Sequence, residues 1–136
     1  MSIEAVIRRL EEYGDKMDFY PPIGDSSAIR DIPAPYAELL GFFNGGEIFI
    51  PGTVIYSYDE AMEENTAEVK DSYDIPDGLF IIGRTNYDAP ICMERESPYK
   101  VILWDDENGE PESAWDSITD FFEEEISDYL RYLREI

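Results

Sequence analysis

The sequence predicts an α+β domain: an antiparallel or mixed sheet with the N-terminal and C-terminal helices packed mainly on one face. Three observations carry this. An apolar repeat of 3.6-residue period opens the chain and a longer one closes it. Between them lie short apolar runs separated by turn residues, Leu79-Phe80-Ile81-Ile82-Gly83 foremost. Hydrophobic residues make up 43% of the 136, enough for a core at the size of one domain, so residues 1–136 read as a single unit.

Residues 2–13 read as a helix, with Ile3, Val6, Ile7 and Leu10 on one face, Ser2 as cap and Gly14 as stop. Residues 15–32 contain Pro21-Pro22 and Gly24-Asp25-Ser26-Ser27 and read as an irregular connection. A second helix is expected over 34–43, with Pro33 or Pro35 in its first turn and Leu39, Leu40, Phe42 and Phe43 buried. Asn44-Gly45-Gly46 stops it. Ile48-Phe49-Ile50 and Val54-Ile55-Tyr56 flank Pro51-Gly52 and read as strands around a tight turn. Residues 59–70 allow a modest surface helix.

The run ending at Gly83 reads as a central strand released into a loop by that glycine. Residues 89–94 and 99–104 read as two more strands, with Ser97-Pro98 in the turn between them. In the second, Tyr99, Val101 and Leu103 alternate with Lys100, Ile102 and Trp104. A polar turn covers 105–110. Asp116 or Ser117 caps a last helix reaching about residue 133, with Ile118, Phe121, Phe122, Ile126, Tyr129, Leu130 and Leu133 as its apolar stripe. Acids in its first turns and Arg131 and Arg134 in its last suit the helix dipole.

Charge narrows function. The chain has 32 acids, 10 bases and no histidine, for a formal charge of −22. That excludes gripping a nucleic-acid backbone, which needs Lys and Arg to displace counterions. It also opposes docking on anionic lipid, and it favours a basic macromolecular partner. Residues 31–69 hold eight acids and residues 101–130 hold eleven, with no Lys or Arg in either stretch. Both should form sustained negative surface. No apolar run is long enough for a membrane span, and the N-terminus lacks a signal-peptide pattern, so the expected compartment is the cytoplasm.

The residue types also limit chemistry. With Cys92 as the only cysteine and no histidine, an intrachain disulfide, a His/Cys zinc site and the Ser-His and Cys-His pairs are all out of reach. A calcium-loop reading of 105–110 fails in register: Gly109 at position 6 would put Trp104 at position 1. A phosphate loop of the Gly-Lys-Ser/Thr type does not occur. Cys92 lies between Ile91 and Met93 and reads as a buried thiol. Neither cofactor nor metal is expected, and no catalytic residue is assigned. Tyr56, Tyr58, Tyr87 and Tyr99 fall near strand ends or loops. They fit edge-of-core packing, or an aromatic and acidic binding face.

The ordered series Phe43-Asn44-Gly45-Gly46-Glu47-Ile48-Phe49, Pro51-Gly52, Leu79-Phe80-Ile81-Ile82-Gly83, Ile91-Cys92-Met93, Val101-Ile102-Leu103-Trp104-Asp105, Gly109-Glu110 and Trp115 before a Phe-rich helix resembles the SUKH superfamily. Its best-known members are the fungal Smi/Knr cell-wall regulators. The resemblance runs over about 34–133. It implies function by binding. Many bacterial members resemble immunity proteins that bind and neutralise a cognate toxin, often a nuclease, and a basic toxin would complement this chain. The fungal relatives imply the alternative, a non-catalytic scaffold or regulator with a cellular partner. The superfamily supplies no fixed interface. Contact is therefore expected from acids near strand ends and turns, Asp59, Glu60, Asp105, Asp106, Glu107 and Glu110, with Tyr56 and Tyr58 as aromatic anchors.

Overall fold

The computed structural model describes residues 2–24 and 29–136, so part of the expected connection, residues 25–28, lies outside the described residues. Seven strands pair antiparallel in chain order: β1 (Met17–Phe19), β2 (Gly46–Ile48), β3 (Thr53–Ile55), β4 (Leu79–Arg84), β5 (Pro90–Glu94), β6 (Val101–Asp105) and β7 (Glu110–Trp115). Around them lie α1 (Ile3–Glu11), α2 (Ala34–Leu40), α3 (Tyr58–Glu64), α4 (Ala67–Ser72) and α5 (Ile118–Glu135). The α+β class, the antiparallel sheet and the terminal helices agree with the sequence reading.

Register decides which side chains share a face. Phe80, Met93 and Val101 stand abreast across β4, β5 and β6, and so do Ile81, Cys92 and Ile102. Alternation puts these rows on opposite faces. On the first face the Phe80 ring lies 5.7 Å from Tyr36 of α2. Trp115, abreast of Val101, meets Phe121 of α5 edge-on at 4.9 Å, and α1 packs on α5. The terminal helices thus gather on one face. The α4 segment covers the other. Lys70 of α4, 4% exposed, donates from Nζ to the Leu79 carbonyl at 2.6 Å. Trp104 Nε1 donates to the carbonyl of Tyr73, just beyond α4, at 2.7 Å. Ile91, Cys92 and Met93 are buried in succession because both faces are covered there.

Local differences from the sequence reading have local causes. β1 forms inside the stretch expected to be irregular, because three residues carry too little pattern and pairing with β2 recruits them. β7 is a second unexpected strand. Glu-Pro-Glu-Ser-Ala-Trp has no apolar alternation, since it is an exposed sheet edge. The surface helix splits into α3 and α4, with Thr66 capping the second. The second helix ends at Leu40 rather than Phe43. Gly83 does not end its strand. It pairs with both Ile55 and Ile91, a Cβ there would strike the Val54 carbonyl, and β4 continues to Arg84. Ser117 is the cap of α5. That helix buries Ile118, Phe121, Phe122 and Ile126, but Leu130 and Leu133, expected in the same stripe, stay 38% and 42% exposed.

A partly buried carboxylate is among the groups that tie α5 to the sheet. Glu125, partly buried, accepts a hydrogen bond from the Thr53 hydroxyl at 3.1 Å. Burial raises its pKa above the ordinary glutamate value, outweighing the Thr53 bond, and Asp128 and Glu124 add to the rise. A raised acid pKa means the folded state holds the proton more readily than the unfolded chain. Stability from this site is therefore full below the ordinary glutamate pKa and declines as pH climbs through the raised value. Glu125→Gln should flatten that decline and stabilise the protein at neutral pH. Urea unfolding of both forms across the acidic range checks it, and equal slopes would show that Glu125 is ordinarily solvated.

Candidate partner-binding surface

The residues before α3 build a rigid mount for its first turn. Ser57 Oγ accepts from the Glu60 amide at 3.2 Å, while the Glu60 carboxylate accepts from the Ser57 amide at 3.0 Å, a reciprocal capping box. Asn44 Oδ1 accepts from the Tyr58 amide at 2.9 Å, so the helix stop also fastens the next helix. Gly45 beside it has φ +83°, and a Cβ there would run into the Ser57 backbone. At the far end, Asn65 bonds Ile81 twice, donating to its carbonyl at 2.8 Å and accepting from its amide at 2.7 Å. That side chain replaces a strand on the open edge of β4 beyond β3. Held at both ends, α3 presents Asp59 and Glu60 to solvent with Tyr58 half-buried beside them.

Next to this turn, register lines up Asp18, Glu47, Val54 and Arg84 across β1 to β4. With Glu60 they border a depression of about 140 Å³. Arg84 also borders a neighbouring one of about 370 Å³, with Tyr56, Glu64, Tyr73 and Asp88. Its guanidinium is 3.5 Å from the Asp88 carboxylate and 5.7 Å from the centre of the Tyr56 ring. A single arginine thus sits among five acids at these rims. Tyr56 is only 6% exposed, and burial raises its phenol pKa while Arg84 opposes the rise. It anchors the patch from below and offers a partner little surface. Sequence reasoning missed Glu64, Tyr73, Arg84 and Asp88. The opposite charges at 84 and 88, spanning the β4–β5 turn, were the available cue.

The second group sits on the β6–β7 turn. Asp105 is committed to holding it. Its carboxylate accepts from the Glu107 amide at 3.0 Å, the Asn108 amide at 3.1 Å and Asn108 Nδ2 at 2.8 Å. These bonds, the Asn108 side chain first, lower its pKa. The Gly109 amide closes the turn onto the Asp105 carbonyl at 2.8 Å. Asp106 and Glu107 are left exposed at the tip and Glu110 at the start of β7. Turns of a meander alternate ends, so this one shares its end of the sheet with the β2–β3 and β4–β5 turns. The residues read from sequence thus fall into two patches, Tyr56 to Glu60 at α3 and Asp105 to Glu110 at the hairpin. Neither depression bordered by Arg84 includes a residue of the hairpin turn.

Both patches present exposed carboxylates on backbone braced by side-chain hydrogen bonds. Among the described residues, no three His, Cys, Asp or Glu are grouped to hold a metal ion. Burial pushes the Cys92 thiol up to about 12, which keeps it protonated at neutral pH. Residues 30–124 match the model of the SMI1 / KNR4 family (SUKH-1). The chain belongs to this family. The SUKH-1 match takes in α2 to α4, β2 to β7 and the first turns of α5, and so contains both patches. α1, β1 and the rest of α5 lie outside it. No curated protein and no solved structure matches the chain. No helix among the described residues is long and apolar enough to cross a membrane.

Proposed function

We propose that this SUKH-1 protein is an immunity protein. It binds a cognate, basic toxin domain, such as a nuclease, and neutralises it in the cytoplasm of the producing cell by covering the surface that would grip phosphates. No bond is made or broken. The observation that carries this reading is the charge of −22, displayed in part as carboxylates on rigid mounts at α3 and the β6–β7 turn. Such a surface speeds encounter with a basic partner and weakens with salt. Asp59, Glu60, Asp106, Glu107 and Glu110 make the charged contacts, Tyr58 is the aromatic one, and Asp105 and Tyr56 hold the patches in shape. Co-expression with the product of the adjacent reading frame tests it. A stable complex that silences a toxic activity is the expected result. A neighbour that is neither toxic nor bound would contradict it, and recovery of a non-toxin cellular protein would favour a scaffold or regulator.

A further inference from the structure

The exposed end of the α5 stripe has a structural counterpart. Phe49, in the β2–β3 turn at φ +51°, stacks on Tyr129 of α5 at 4.4 Å, and Tyr13 meets both rings edge-on. Around this stack Ile50, Pro51, Tyr132 and Leu133 line a cleft of about 800 Å³, with Lys16 the one base at its border. Ile50 is 39% exposed and Tyr132 58%. Asn86, Glu125 and Asp128 border this cleft and also a second depression of about 400 Å³. The second adds Glu112 and Glu124 and has no Lys or Arg among its lining residues. One continuous surface therefore has an apolar half and an acidic half. Glu124 accepts from Trp115 Nε1 at 2.6 Å, Glu125 from the Thr53 hydroxyl, and Asp128 faces the exposed Arg131 at 3.2 Å.

We propose that this cleft docks a segment of a partner protein that carries aromatic or aliphatic side chains next to Lys or Arg. The apolar residues would cover Phe49, Tyr129 and Leu133, and the cations would sit against Glu112, Glu124, Glu125 and Asp128. Charge complementarity selects this occupant. A second copy of the chain would bring another −22 and a matching acidic half to the same place. The surface shares β7 with the hairpin patch but none of its lining residues belongs to either patch above, and the inference does not require that the partner be a toxin.

The test uses the whole protein and a peptide of alternating Arg and Trp, with Arg-Ser and Glu-Trp peptides of equal length as controls. Fluorescence anisotropy gives affinities and NMR amide shifts give the location. The Arg-Trp peptide should bind one-to-one, with shifts centred on Ile50, Tyr129 and Leu133. Both controls should bind at least about tenfold more weakly. Leu133→Asp and Asp128→Asn, at exposed positions that leave the fold intact, should each weaken it by about tenfold. Asp106→Asn should not. Equal binding of the Arg-Ser peptide, or shifts spread over the whole acidic surface, would overturn the proposal in favour of unspecific charge attraction. A concentration-dependent dimer that the peptide does not dissociate would assign the cleft to self-association instead.

Discussion

Phe122→Ala should lower the free energy of unfolding by about 3–5 kcal/mol, the usual cost of emptying a buried aromatic site. Phe122 is fully buried and packs beside Phe121 at 5.6 Å, where α5 crosses the sheet. A domain of this size is stable by roughly 5–15 kcal/mol, so the loss would be a large part of the total. Leu133→Ala, about three turns on, should change stability by no more than about 0.5 kcal/mol, because that position is exposed. Urea unfolding of both variants measures the contrast. Equal losses would mean that α5 is buried along its whole stripe, and the docking cleft would then not exist.

Reversing Asp106 and Glu107 to Lys together should slow association with the proposed basic partner by about tenfold at low salt and flatten the dependence on ionic strength. Both side chains are exposed at the tip of the β6–β7 turn and make no side-chain bond that the turn depends on. Stability should therefore stay within about 0.5 kcal/mol of the parent. Asp105 is left out of the variant. Its carboxylate holds Glu107 and Asn108, so reversing it would confuse loss of charge with loss of the turn. Stopped-flow mixing at several salt concentrations reads the effect, and an unchanged rate at low salt would remove this turn from the interface.

The parts legible in the sequence are those where burial writes a period. α1 and the first half of α5 follow their apolar spacing, and β4 and β5 follow their continuous apolar runs, because both faces of the sheet are covered there. β1 and β7 were illegible because they lie at sheet edges, where pairing comes from a neighbour rather than from their own side chains. Asn65 read as a helix interior residue, yet it ends α3 and bonds β4 on its open edge. The acids were countable but their roles were not. Asp105 and Asp106 are adjacent and alike in sequence, and one braces a turn while the other faces solvent. The docking cleft was hidden for the opposite reason. Leu133 continues an apolar stripe, and only the path of α5 beyond the sheet leaves it uncovered.

The most direct measurement of the proposed immunity function is calorimetric titration of the purified protein with the purified product of the adjacent reading frame, the proposed toxin, repeated across a range of salt. A one-to-one complex that weakens steeply as salt rises, at ratios that also abolish the toxin's activity, is the predicted result. No heat of binding at low salt, or a complex indifferent to salt with a partner as acidic as this chain, would contradict it.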